Sequence, residues 1–126
     1  MEMRSHLGRV RGLGSTNDGV HHWKLQRITG IALVPLVIWF VYSAIALTGA
    51  DLAEFKTWLG TSGNPVLMSL LIFTMFHHAQ LGIQVVVEDY VHGEASKTVL
   101  LLLTKFAAII FGGYSIYAVL RLTVGG

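Results

Sequence analysis

The 126-residue chain contains no cysteine. That excludes disulfides, iron–sulfur ligation and thiol catalysis by this chain. Charge is also scarce. Asp, Glu, Lys and Arg make up 13% of the residues, against roughly 25% in soluble domains. A disordered chain would need low hydrophobicity and high charge. Here 53% of the residues are hydrophobic and the mean hydropathy is +0.62, which is the reverse. The length allows one domain at most. A net charge of +2 and a pI of 9.2 would suit nucleic acid, but the placement of the charges excludes that partner. Five of the nine Lys/Arg precede the first long apolar run, at Arg4, Arg9, Arg11, Lys24 and Arg27. That is a membrane-topology pattern.

Three spans follow, and the expected fold is an all-α membrane protein. The first helix is expected over about 25–50, after an N-terminal arm of residues 1–24. No charged residue lies between Ile28 and Ala50, and about 20 apolar residues suffice to cross the hydrocarbon core. The run is too long and too late for a signal peptide. Pro35 falls inside it, where membrane packing tolerates a kink. The second helix is expected over about 65–91. It opens at Asn64-Pro65, read as an N-cap followed by proline at the first helical position. The third is expected over about 96–122, with Ser96 as N-cap. Lys105 interrupts it and is read as snorkelling to the near interface.

Short connections make adjacent spans antiparallel. The side holding the N-terminus and the second loop carries six Lys/Arg, and the opposite side carries two, Lys56 and Arg121. The positive-inside rule then predicts a cytoplasmic N-terminus.

Ionisable residues inside a membrane are costly and mark function. His78 stands near the middle of the second span. Asp89 follows eleven residues later, so the two differ by about 20° in direction and about 16 Å along the axis. Gly82 lies one turn beyond His78 on nearly the same stripe, leaving a gap where a flat macrocycle could approach the imidazole. A neutral imidazole is a good axial ligand for haem iron. His77 points about 100° away, so the two neighbours cannot share one iron. The other spans hold no mid-membrane histidine. A haem here is therefore five-coordinate, or a second subunit supplies the other ligand. The residues alone also allow a histidine that bonds only a neighbouring carbonyl.

The segment His78-Ala79-Gln80-Leu81-Gly82-Ile83-Gln84, closing with Asp89-Tyr90-Val91, resembles the second helix of the D-type membrane anchors of succinate dehydrogenase. A histidine, ten intervening residues and Asp-Tyr recur in that family, and the spacing selects His78. Gly19-Val20-His21 and Arg27-Ile28-Thr29-Gly30 resemble the start of that family's first helix. The resemblance covers roughly residues 19–120, leaving the Met1 to Asp18 arm without a family feature. It implies half of a heterodimeric anchor bundle in a succinate:quinone oxidoreductase (complex II). A flavoprotein subunit with FAD, an iron–sulfur subunit with its clusters, and a second anchor of the C type would be the partners. Haem b would be shared with the C-type anchor, with His78 as one axial ligand and Gly82 packed against the macrocycle. His21 and Arg27 would lie near the haem propionates, although His22 adjoins His21 and keeps that register open. Tyr90, with Asp89 beside it, would bind ubiquinone or menaquinone. The implied location is the bacterial inner membrane, favoured over the mitochondrial one.

Quinone chemistry calls for such residues independently. Reduction builds charge on a carbonyl oxygen, and a phenol in a low-dielectric pocket stabilises it by a hydrogen bond. A neighbouring carboxylate can pass protons. Tyr90 as a plain interfacial anchor is the simpler alternative. Trp23 reads as such an anchor, Trp39 and Tyr42 as packing or lipid-facing residues. Gly112-Gly113 read as a close helix approach. Two other function classes remain open: the anchor of a fumarate reductase or another quinone-linked dehydrogenase, and a non-redox small membrane protein. The latter would need midplane substrate charge, often in symmetric halves, and no repeat is present.

Overall fold

The computed structural model describes residues 16–125, with side chains from residue 19 onward. The expected peripheral arm lies largely outside the described residues. Four helices follow in order: α1 (Thr16–Ala46), α2 (Leu52–Gly60), α3 (Asn64–Tyr90) and α4 (Glu94–Thr123). Three of them, α1, α3 and α4, are long and apolar enough to cross a membrane. The described residues contain no strand. The chain is an all-α membrane protein.

Helix α1 begins nine residues before the expected start at about 25 and ends four short of 50. The first charge-free residue marks where a helix may enter lipid, but backbone hydrogen bonding does not stop at a charge. The polar lead-in is itself helical, and Arg27 lies over the Trp23 ring at 5.2 Å, a contact that i, i+4 spacing creates. At the other end Leu47 N–H donates to the Ser43 carbonyl at 2.9 Å. Gly49 then takes φ 83, a left-handed value that glycine adopts without strain. Pro35 sits within α1 without ending it.

The first connection contains a helix beyond the three expected. Asp51 caps α2: its carboxylate accepts from Glu54 N–H at 2.8 Å, and Asp51 N–H donates to Glu54 Oε2 at 2.8 Å. This is a capping box, and its Asp-x-x-Glu spacing is visible in the sequence. Leu59 on α2 is 1% exposed, held where α2 packs on α3 and α4. Trp58 stacks on Trp39 of α1 with ring centroids 5.8 Å apart.

Two helix starts differ from expectation. The N-cap of α3 is Gly63, at φ 90, not Asn64. The Asn64 amide instead donates to the Trp58 carbonyl at 2.8 Å, closing the last turn of α2. For α4 the N-cap is Gly93 rather than Ser96, with Lys97 N–H donating to the Gly93 carbonyl at 2.8 Å. At Gly63 the positive φ turns the chain tightly, whereas Gly93 is in ordinary extended backbone; in both cases the helix starts before the side chain expected to cap it.

Helix α3 is the centre of the bundle. Helix α1 packs on one side of it and α4 on the other, and among the described residues no close backbone approach joins α1 to α4. Few residues are buried, and several are small or polar: Thr29, Ser43, Thr74 and Gln80 beside Leu71, Leu81, Val87 and Val119. That is the pattern of membrane helix contacts, where close approach and hydrogen bonds replace hydrophobic driving force. Gly112 is buried against α3, and a Cβ there would lie 3.5 Å from the Phe76 ring. Gly113 has open space beside it.

Candidate functional site

The α1–α3 seam carries a polar stripe. Gly30 lies opposite His78, where an added Cβ would be 3.4 Å from the imidazole Cε1. One turn toward the α1 N-terminus, Gln26 lies opposite Gly82, with Nε2 3.8 Å from where a Cβ would be. These pairs fix an antiparallel register. Thr29, 7% exposed, brings its Oγ1 to 2.9 Å from His78 Nδ1. The same oxygen lies 2.7 Å from the Leu25 carbonyl and 3.1 Å from that of Gln26. His22 Nε2 and Gln26 Oε1 are buried without a hydrogen-bond partner in the described structure. His22, Gln26 and Thr29 share one face of α1, because steps of four and three residues return to nearly the same direction.

The sequence-derived residues divide between this seam and its surroundings. His78 sits at mid-helix in the seam. Gly82 is beside it, with the Gln26 amide in van der Waals reach rather than empty space. Asp89 and Tyr90 end α3 at the level of the first turns of α1, and both are exposed, Tyr90 at 77%. His21 and Arg27 are exposed. Six residues apart, they point about 120° from each other and about 9 Å along the axis, so the structure does not bring them together. Of the adjacent pair His21 and His22, it is His22 whose ring nitrogen is buried.

His77 faces elsewhere. Its ring stacks on Phe73 at 5.9 Å and lines a groove of about 430 Å³ between α3 and α4, together with Gln80, Lys105 and Gly113. A ladder of side-chain bonds also runs along α3: Gln80 Nε2 donates to Gln84 Oε1 at 3.3 Å, and Gln84 Nε2 to Glu88 Oε1 at 3.1 Å. Sequence reasoning gave no role to Gln26, and none to Thr29 or Gly30 beyond their place in a motif. Their signal was polar and small residues recurring on one helical face at the edge of an apolar run.

The profile of the succinate dehydrogenase/fumarate reductase transmembrane subunit matches residues 1–112. The chain belongs to that family. It is 32% identical to the succinate dehydrogenase hydrophobic membrane anchor subunit of Rickettsia bellii, across 86% of this chain and 87% of the relative. It is 33% identical to the subunit of the same description from Rickettsia felis, across 75% and 78%. The succinate dehydrogenase membrane anchor subunit of Reclinomonas americana is 30% identical, across 75% and 81%. No solved structure matches at a significant level. Three apolar helices and a polar seam thus belong to a membrane anchor of the succinate dehydrogenase/fumarate reductase family, a subunit within a larger enzyme.

Proposed function

We propose that this anchor binds haem b together with a second, C-type anchor and contributes to the quinone site of a succinate:quinone oxidoreductase. The observation that carries this reading is the mid-helix imidazole of His78, on a stripe that ends at Asp89-Tyr90. Among the described residues no group of three His, Cys, Asp or Glu side chains could hold a metal. A lone imidazole instead suits an iron whose equatorial ligands come from a macrocycle. What supports such a group here is the pair of small residues beside the ring, Gly30 and Gly82, and the orphaned polar atoms of His22 and Gln26 on its Tyr90 side. When bound, the haem would supply a one-electron store.

In this reading His78 would hold the iron from this chain, and the C-type anchor would supply the second ligand. Arg27, about 4–5 Å along the axis from the level of His78, offers a guanidinium to a propionate from its exposed flank. Between the two adjacent histidines, the buried nitrogen supports His22 over His21 as the second propionate partner. The Tyr90 phenol donates a hydrogen bond to a carbonyl oxygen of ubiquinone or menaquinone, stabilising the charge that builds there. Asp89 beside it passes protons from the cytoplasm. Electrons come from succinate through an FAD-bearing flavoprotein subunit and an iron–sulfur subunit. The cluster of basic residues near the N-terminus supports a cytoplasmic N-terminus in a bacterial inner membrane. Whether the complex works toward succinate or fumarate depends on potentials in those other subunits.

The deciding experiment is the dithionite-reduced minus oxidised spectrum of the purified complex. A b-type haem signal that is lost or turned high-spin by His78→Ala supports the reading. A complex that oxidises succinate with no such signal overturns the haem assignment.

A further inference from the structure

A hydroxyl has one proton to give and two lone pairs to accept with. Thr29 Oγ1 has three polar neighbours: the Leu25 carbonyl at 2.7 Å, the Gln26 carbonyl at 3.1 Å and His78 Nδ1 at 2.9 Å. Both carbonyls are pure acceptors. Two oxygens at 2.7 Å repel unless a proton lies between them, so the Thr29 proton goes to Leu25. This is the back-bond typical of threonine within a helix. The Thr29 oxygen can then only accept from His78, and Nδ1 must carry the ring proton. Nε2 is left with its lone pair. The bond is partly buried, with Thr29 7% exposed, and a lowered dielectric strengthens it. Gly30 lies beside the ring, where a Cβ would be in van der Waals contact at 3.4 Å from the imidazole Cε1.

We propose that Thr29 is a positioning residue for His78: it accepts a hydrogen bond from Nδ1–H, holds the tautomer whose Nε2 can ligate iron, and strengthens electron donation from that nitrogen. The inference rests on the reading of His78 as a haem ligand. A carbonyl, carboxylate or hydroxyl behind a ligating histidine fixes its orientation and increases its electron donation. A stronger electron donor favours ferric over ferrous iron. Losing the hydroxyl should therefore loosen the haem and raise its midpoint potential.

The test uses the assembled complex with Thr29→Val, which keeps the β-branched shape, and Thr29→Ser, which keeps the hydroxyl. Flavin that co-purifies with the anchor reports assembly in each. Thr29→Val should lower haem affinity roughly 10–100-fold, the usual effect of removing such a partner. The haem retained should titrate at a more positive potential, with a tenfold fall in the ferric-to-ferrous affinity ratio reading as about 59 mV. Thr29→Ser should restore both. If Thr29→Val does not assemble, Thr29→Ala removes the hydroxyl without the branched bulk and must show the same two changes. A parental potential and affinity in the hydroxyl-free variant overturn the proposal. Equal shifts in Val and Ser also overturn it, since they would reflect packing alone. A parental complex without haem overturns the reading of His78 and this proposal with it, whereas an unchanged haem in Thr29→Val overturns only the role of Thr29.

Discussion

His77 and His78 are adjacent in the chain and face different neighbours, the α3–α4 groove and the α1–α3 seam. Replacing each by alanine separates their roles. His78→Ala is expected to abolish the low-spin haem spectrum of the assembled complex, while His77→Ala keeps it. The reverse pattern would shift the assigned ligand by one residue. Gly82 gives a finer probe. Among the described residues a Cβ at this position meets nothing closer than 3.8 Å, so Gly82→Ala should leave assembly intact. Haem loss in Gly82→Ala, measured as haem per flavin, would then report direct packing of the macrocycle at residue 82. Tyr90→Phe keeps the ring and deletes the hydroxyl. Losing a hydrogen bond of this type to developing charge costs on the order of 3 kcal/mol, or 10²–10³-fold in rate. Quinone reduction should fall by that factor while artificial-acceptor activity and the haem spectrum persist. Parental quinone turnover would leave Tyr90 as an anchor only.

At the scale of elements, α2 depends on its cap. The helix has nine residues, too few to be stable in isolation. It is held by the Asp51–Glu54 capping box and by Leu59 at its buried end. Removing the Asp51 side chain costs about 1 kcal/mol of helix stability, or about fivefold in an opening equilibrium. Hydrogen exchange in detergent should show the amides of Glu54 and Phe55 exchanging about fivefold faster in Asp51→Ala. The amides in the middle of α3 should be unchanged, because the capping bonds of Asp51 stay within α2. Uniform acceleration through α3 would mean that α2 clamps the whole bundle rather than one connection.

The whole molecule has a central helix with partners on two sides and open flanks between. Large apolar side chains stay exposed along α1, such as Ile31, Val34, Ile38 and Ile45, and along α4, such as Phe106, Ile109 and Phe111. Lipid satisfies such faces, and so does a second anchor. In the proposed reading His78 would provide one axial ligand, leaving the other to a second subunit. Expressed without its partners, the chain is therefore expected to hold no six-coordinate haem. A low-spin bis-histidine spectrum from the purified single chain would contradict the heterodimeric site.

Composition and local periodicity were enough for the three spans, their alternating direction and the divergence of His77 from His78. Each depends on residues within one helix, where rise and turn per residue are constant. The boundaries were less legible. Charge marks where lipid ends, whereas a helix is bounded where the backbone turns, as at Gly49 after α1 and at Gly63 before α3. The capping box at Asp51 stands in the sequence, but the nine residues of α2 carry too little periodicity to announce a helix. The environment of His78 was not legible at all. That Thr29 rather than a backbone carbonyl meets its Nδ1, that Gln26 lies against Gly82, and that His22 rather than His21 buries a ring nitrogen follow from the register between α1 and α3. Thr29 and His78 are 49 residues apart in the chain, and the register that joins them is set by which small residues let the two backbones approach. No pattern inside either helix contains that information; only the packed pair does.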